Sequence, residues 1–140
     1  MPPGITEEDH ALIKPYILLP IVLSAFERDI SVINAAVKTP EPYAEIITAA
    51  MDRVTYDLTE LRREFKQRGI KVLDMQRTER GYEAQYLCRG YQRKFALLDG
   101  LVRAEGGILM RKYLGLDTDN MEKLRSLDAK LGGGKIKDRP

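Results

Sequence analysis

Chemistry-bearing side chains are scarce in this 140-residue chain, which has one cysteine, Cys88, and one histidine, His10. A lone cysteine excludes an intramolecular disulfide, a two-cysteine redox motif and a four-ligand zinc site built within the chain. A reducing compartment is therefore expected. Long apolar runs are missing too. The most apolar stretch, Tyr16 to Phe26, is followed at once by Glu27, Arg28 and Asp29 and falls well short of the roughly 20 residues of a spanning helix. The first residues, Met-Pro-Pro-Gly before Glu7, Glu8 and Asp9, lack the basic and apolar regions of a signal peptide. The expectation is a cytoplasmic protein without membrane contact.

What remains is the composition of one folded domain. Apolar residues make up 44% and charged residues 31%, the latter above the usual quarter, as helices with one wet face produce. Thr6 followed by three acidic residues reads as an N-cap and first turn. Pro15 and Pro20 each lack a backbone donor, so the first helix is expected to be short and to break or kink. From Leu19 a stripe of Leu19, Leu23, Phe26, Ile30, Ile33 and Val37, widened by Val22 and Ala25, predicts a longer helix. Thr39 to Pro42 ends it, with Thr39 as a plausible cap for the next. Tyr43, Ile46, Ile47, Ala50, Val54, Leu58, Leu61 and Phe65 then recur at steps of three and four. They predict a helix from about residue 41 to 68, ended by Gly69. The short link between the two favours an antiparallel helical hairpin.

After Gly69 the period becomes that of strands. Residues 70–76 and 82–88 flank a polar turn at 77–81, which predicts a β-hairpin whose second strand puts Tyr82, Ala84, Tyr86 and Cys88 on one face. A third long helix is expected from about Gly90 to Leu114, with Tyr91, Phe95, Leu98, Val102 and Leu109 near one stripe. Gly100, Gly106 and Gly107 either break it or serve close packing. Met121, Leu124, Leu127 and Leu131 would lie on a short helix capped within 117–120, and residues 132–140 are expected to be a mobile tail. The fold expected is mainly α: an antiparallel helical hairpin plus a third long helix, with one β-hairpin inserted between helices two and three. A single domain would span residues 1–131.

Charge is distributed unevenly. Residues 1–61 hold four Lys/Arg against ten Asp/Glu, residues 62–94 hold ten against four, and the whole chain nets only +2. The candidate partner or nucleic-acid contacts are therefore Arg62, Arg63, Lys66, Lys71, Arg77, Arg80, Arg89, Arg93 and Lys94, with Tyr82, Tyr86 and Tyr91 among them. The same cations also suit a helix C-terminus and pairing with the acidic first half.

No catalytic, cofactor or metal motif emerges. Gly132-Gly133-Gly134-Lys135 lacks the first glycine, the Ser/Thr and the preceding strand of a phosphate loop. His10 reads as a solvated helix residue, and Cys88 as a small buried apolar side chain with no histidine nearby in sequence to activate it. Asp57, Glu60 and Glu64 sit at pairing distance from Arg53, Arg63 and Lys66.

Three stretches, ILLPIVLSAFERDI at 17–30, AMDRVTYDLTELRREFKQRGIKV at 50–72 and YLCRGYQRKFALLDGLVRAE at 86–105, resemble a family of small uncharacterised proteins of Bacillus-type bacteria and their phages or integrated elements. The resemblance implies a prokaryotic cytoplasm and a regulator or host-interaction protein, and supplies no site residues. The function expected is that of a non-enzymatic interaction or regulatory protein that self-associates or binds a protein partner. The alternative is nucleic-acid binding through residues 62–94.

Overall fold

The computed structural model describes residues 6–119. Helix α1 spans Glu7–Ala11, α2 Ile13–Ala36 and α3 Glu41–Arg68. Three strands follow, β1 Ile70–Arg77, β2 Gly81–Cys88 and β3 Tyr91–Leu98, and then helix α4, Asp99–Tyr113. Helices α2 and α3 pack against each other as the expected hairpin. The strands form one antiparallel sheet in the order β1-β2-β3.

Three expectations need correcting. The first is the third helix, which begins at Asp99 rather than near Gly90, because Tyr91–Leu98 is a strand. Arg89 and Gly90 both have positive φ, 49° and 91°, and this is the conformation that joins antiparallel strands in a two-residue turn. The second concerns the prolines. The break falls at Leu12, upstream of both, and α2 runs through them. Pro15 sits in the first turn, where a missing N–H has no intrahelical partner to lose. Pro20 forfeits a bond inside the helix, yet buried Ile17, Leu18, Leu19 and Val22 hold the segment on both sides of it. The third is the stripe of α3, whose first members, Tyr43 and Ile46, are exposed. The N-cap of α3 is Pro40, with no side-chain cap bond, in place of Thr39.

The local reasons elsewhere follow the sequence. Thr6 caps α1 in a reciprocal box with Asp9, and Gly69 ends α3 with φ 71°, a conformation that costs glycine no Cβ clash. Strand β1 alternates poorly because its register shifts between Val72 and Asp74. The bulged Leu73 moves the inward positions from Ile70 and Val72 to Met75 and Arg77.

Two apolar clusters result. The proximal one gathers Ile13, Ile17 and Leu18 of α2, Phe65 of α3, Val102 of α4 and the inward residues Ile70, Ala84, Tyr86, Cys88 and Leu97 of the sheet. The other lies within the hairpin, from Leu19, Val22 and Phe26 to Ile47, Ala50, Val54 and Leu58. Helix α4 bridges them through Leu109, which touches both. Residues 117–119 are described, but the rest of the expected short helix and the tail at 132–140 lie outside the described residues.

Candidate functional site

The basic segment does not form one surface. Paired residues on neighbouring strands share a face, so the registers put Arg77, Tyr82, Tyr86, Tyr91 and Arg93 on the side that carries the core residues, and Lys71 and Lys94 on the other. The outer face also holds Asp74 and Glu83, so its cations and carboxylates are equal in number. Tyr86 is fully buried and its hydroxyl lies 2.9 Å from His10 Nδ1; burial also raises its pKa. The His10 ring stands 4.8 Å from that of Phe95.

Three of the nine candidate cations are held by carboxylates. Arg77 makes a bidentate pair with Asp99 at 2.7 and 3.1 Å, donates to the Gly81 carbonyl and lies 4.8 Å from the centre of the Tyr82 ring. Arg63 pairs with Glu60. Arg89 pairs with Asp9. Arg62, Lys66, Lys71, Arg80, Arg93 and Lys94 have no ion pair within the described part of the chain.

Asp9 is the centre of the proximal end, although in the sequence it reads as no more than a first-turn acidic residue. It is 1% exposed. Its carboxylate accepts from Arg89, from Arg68 at 3.0 Å, from the Thr6 N–H at 3.0 Å and from the Cys88 thiol at 3.5 Å. Burial alone would raise its pKa, but Arg89, the Thr6 N–H, Arg68 and Cys88 outweigh burial and hold it well below the ordinary carboxylate range. Burial followed by the Asp9 bond pushes the Cys88 thiol up, the reverse of what a nucleophile needs. Arg68 also binds Glu64 and Glu8, and Arg89 donates to the Arg68 carbonyl. This cluster ties α1, α3 and the β2–β3 turn together. Its chemistry is structural.

The distal end differs. Helix α4 runs from the β1–β2 turn, where the Asp99 N–H donates to Arg80 O at 2.8 Å, to the middle of α3. There the Tyr113 hydroxyl donates to Asp57 at 2.6 Å, and Arg53 donates to the Tyr113 carbonyl. Burial and the Asp57 carboxylate both raise the pKa of Tyr113. Asp52, Arg53, Tyr56, Asp57 and Tyr113 line an open hollow of about 320 Å³. Beyond it α4 has ended, and among the described residues α2 and α3 are the elements that continue. Tyr43 is 56% and Ile46 54% exposed, and Val37 is exposed as well. Ile46 lies seven residues and Tyr43 ten residues before Arg53 on α3, so all three share a helix face.

Among the described residues, no group of three or more His, Cys, Asp or Glu side chains is arranged to hold a metal ion, and no helix is long and apolar enough to cross a membrane.

Residues 4–118 match the sequence model of the family described as "YhjD protein". A relative from Bacillus subtilis (strain 168), "Uncharacterized protein YhjD", is 26% identical over 113 residues, covering 80% of this chain and 94% of its own. That agrees with the bacterial group of the resemblance, while neither match concerns phages or integrated elements. No solved structure gives a significant match.

Proposed function

The chain belongs to the YhjD protein family, and from that premise we propose a non-enzymatic interaction protein of the bacterial cytoplasm that pairs with a second copy of itself through the distal face of the α2–α3 hairpin. One observation carries the reading. Tyr43 and Ile46 continue the apolar stripe whose later members Ile47, Ala50 and Val54 are buried, yet both are more than half exposed because α4 stops short of them. An apolar helix face left open beside a packed one is a docking surface by its chemistry. Aromatic residues such as Tyr43 supply contact area at low entropic cost.

Light scattering across a concentration series tests it. The parent chain is expected to shift from monomer to dimer as concentration rises, and Ile46→Glu to remain monomeric with an unchanged circular-dichroism spectrum. Strict monomers in both would remove the reading.

Nucleic-acid binding is the second reading, favoured by the six cations without ion pairs. Its contacts would be Lys71 and Lys94 on the outer sheet face rather than Arg77, which Asp99 already holds. Duplex or single-strand binding at low salt that weakens with Lys71→Ala plus Lys94→Ala would support it, because each phosphate contact adds to the salt slope.

A further inference from the structure

We propose that the free edge of β3 takes up an extended acidic segment of a partner protein as a fourth strand of the sheet. This edge is separate from the distal face of the hairpin and serves a different partner.

The order β1-β2-β3 leaves two sheet edges among the described residues, and they are finished differently. At the β1 edge the Arg89 N–H donates to the Gly69 carbonyl, which sets the phase of the β1–β2 ladder and turns the backbone groups of Ile70 and Val72 outward. Ile70 is buried, and the register shift between Val72 and Asp74 interrupts the strand. A bulge at that position blunts the edge.

The β3 edge has no such interruption. All eight residues of Tyr91–Leu98 pair with β2 without a shift, and the strand contains neither proline nor glycine. Its phase is fixed just past its end, where the Asp99 N–H donates to the Arg80 carbonyl at 2.8 Å. Bonded and non-bonded positions alternate along an antiparallel pair, so Tyr91, Arg93, Phe95 and Leu97 turn their backbone groups toward β2. Gln92, Lys94, Ala96 and Leu98 turn theirs outward, and all four are exposed. Their N–H donors and C=O acceptors form the template for strand addition. A peptide backbone matches both kinds of group, whereas a phosphate backbone uses the donors alone.

Charge selects the strand that is added. Arg93 and Lys94 are neighbours in the middle of β3, and neither has an ion pair among the described residues. They face uncharged Tyr86 and Gln85 across the ladder, and β3 holds no carboxylate. A second copy of β3 would crowd two such cationic pairs into one junction, which like-charge repulsion disfavours. Adjacent carboxylates on an added strand would instead meet one cation on each face of the sheet. Past the cations the exposed side chains are apolar, Ala96 and then Leu98, which is 61% exposed. An antiparallel partner therefore reads, from its N-terminus, an apolar residue opposite Leu98, a second opposite Ala96 and two consecutive carboxylates opposite Lys94 and Arg93.

Titration of the full-length chain with a fluorescein-labelled peptide of that pattern, VTVTEETT, tests the inference. Saturable binding at low salt is expected, weakened about fivefold to tenfold by Arg93→Ala plus Lys94→Ala. N-methylation of the third and fifth peptide residues, whose amides face β3, should abolish binding, and methylation of the fourth and sixth should leave it within about twofold. Ala96→Pro removes one outward N–H and leaves the β2 ladder intact, so it should weaken binding with an unchanged thermal melt. Should that variant melt early, the two methylated peptides on the parent chain decide the matter. Equal effects of the two methylation patterns would overturn strand addition, as would binding of VTVTKKTT as tight as that of VTVTEETT. Absence of saturable binding at millimolar peptide would overturn it too. Displacement of the peptide by oligothymidylate, combined with indifference to methylation, would overturn it in favour of nucleic acid.

Discussion

The two ends of the α2–α3 hairpin are built from the same kind of amphipathic helix and finished in opposite ways. At the proximal end the helices are covered by a sheet, clamped by α4 and pinned by a buried carboxylate with two guanidinium partners. At the distal end, among the described residues, they pack on each other, and the stripe that is core at Val54 is surface at Ile46. The difference shows that an apolar periodicity specifies a face but not what covers it. Coverage is decided by where other elements stop.

Substitutions along α3 measure that difference. Phe65, buried in the proximal cluster with its ring 4.9 Å from that of Tyr16, is expected to cost about 3–5 kcal/mol when truncated to alanine. Urea denaturation would read this as a lowered midpoint with an unchanged slope. A loss below 1 kcal/mol would mean the proximal end is no better packed than the distal one.

Removing Asp9 is the next largest effect, about 3 kcal/mol for Asp9→Ala, because the Arg89 and Arg68 partners and the Thr6 N–H lose their shared acceptor. The pH dependence follows from the sign of the shift. A carboxylate whose folded pKa is depressed contributes stability that is fully present above its unfolded pKa, near 3.8, and is lost as pH falls toward the folded value. Asp99, held down by Arg77, acts in the same direction. Thermal melts between neutral pH and about pH 5 should therefore change little through these two groups, and those below pH 4 should fall. Asp9→Asn is expected to flatten that acid limb, and an unaltered limb would show that the cluster contributes nothing to acid sensitivity.

Gly106 offers a gain. It is buried within α4, yet a Cβ built there meets nothing within 4 Å, so Gly106→Ala should raise stability by about 0.5–1 kcal/mol through reduced backbone entropy. A destabilised variant would reveal close packing at that helix.

The smallest effect is expected at the distal end. Ile46→Ala should change the stability of the monomer by less than about 0.5 kcal/mol, although the same exchange at an equivalent covered position costs several times more. Equal losses at Ile46 and Leu58 would erase the distinction between the two ends.

How much was legible follows from range. Helix α3 with its glycine stop, the hairpin of 70–88 and the Thr6 cap depend on neighbours within a few residues, and each stood out in the sequence. Tyr91–Leu98 is ambiguous at that range. Tyr91, Phe95 and Leu98 fit a helical stripe, while Tyr91, Phe95 and Leu97 fit alternation. The deciding signal was Gly90 directly after Arg89, a two-residue connection after a strand. The Asp9 cluster could not be read at all, since its partners lie 59 and 80 residues away and a first-turn aspartate is equally at home in solvent. The basic segment was legible as composition. Its division between two sheet faces, with Arg77, Arg63 and Arg89 tied to carboxylates, required the strand register.

The link between Asp9 and Arg89 also sets an order of events. The 80 residues between them take about 4–16 s to synthesise at ordinary elongation rates of roughly 5–20 residues per second. During that interval the α2–α3 hairpin can form from its own contacts, and Arg68 at its end reaches Asp9 before Arg89 does. The first element made thus completes its pairing only after two strands have been added to the hairpin, although its cap needs no residue beyond Asp9.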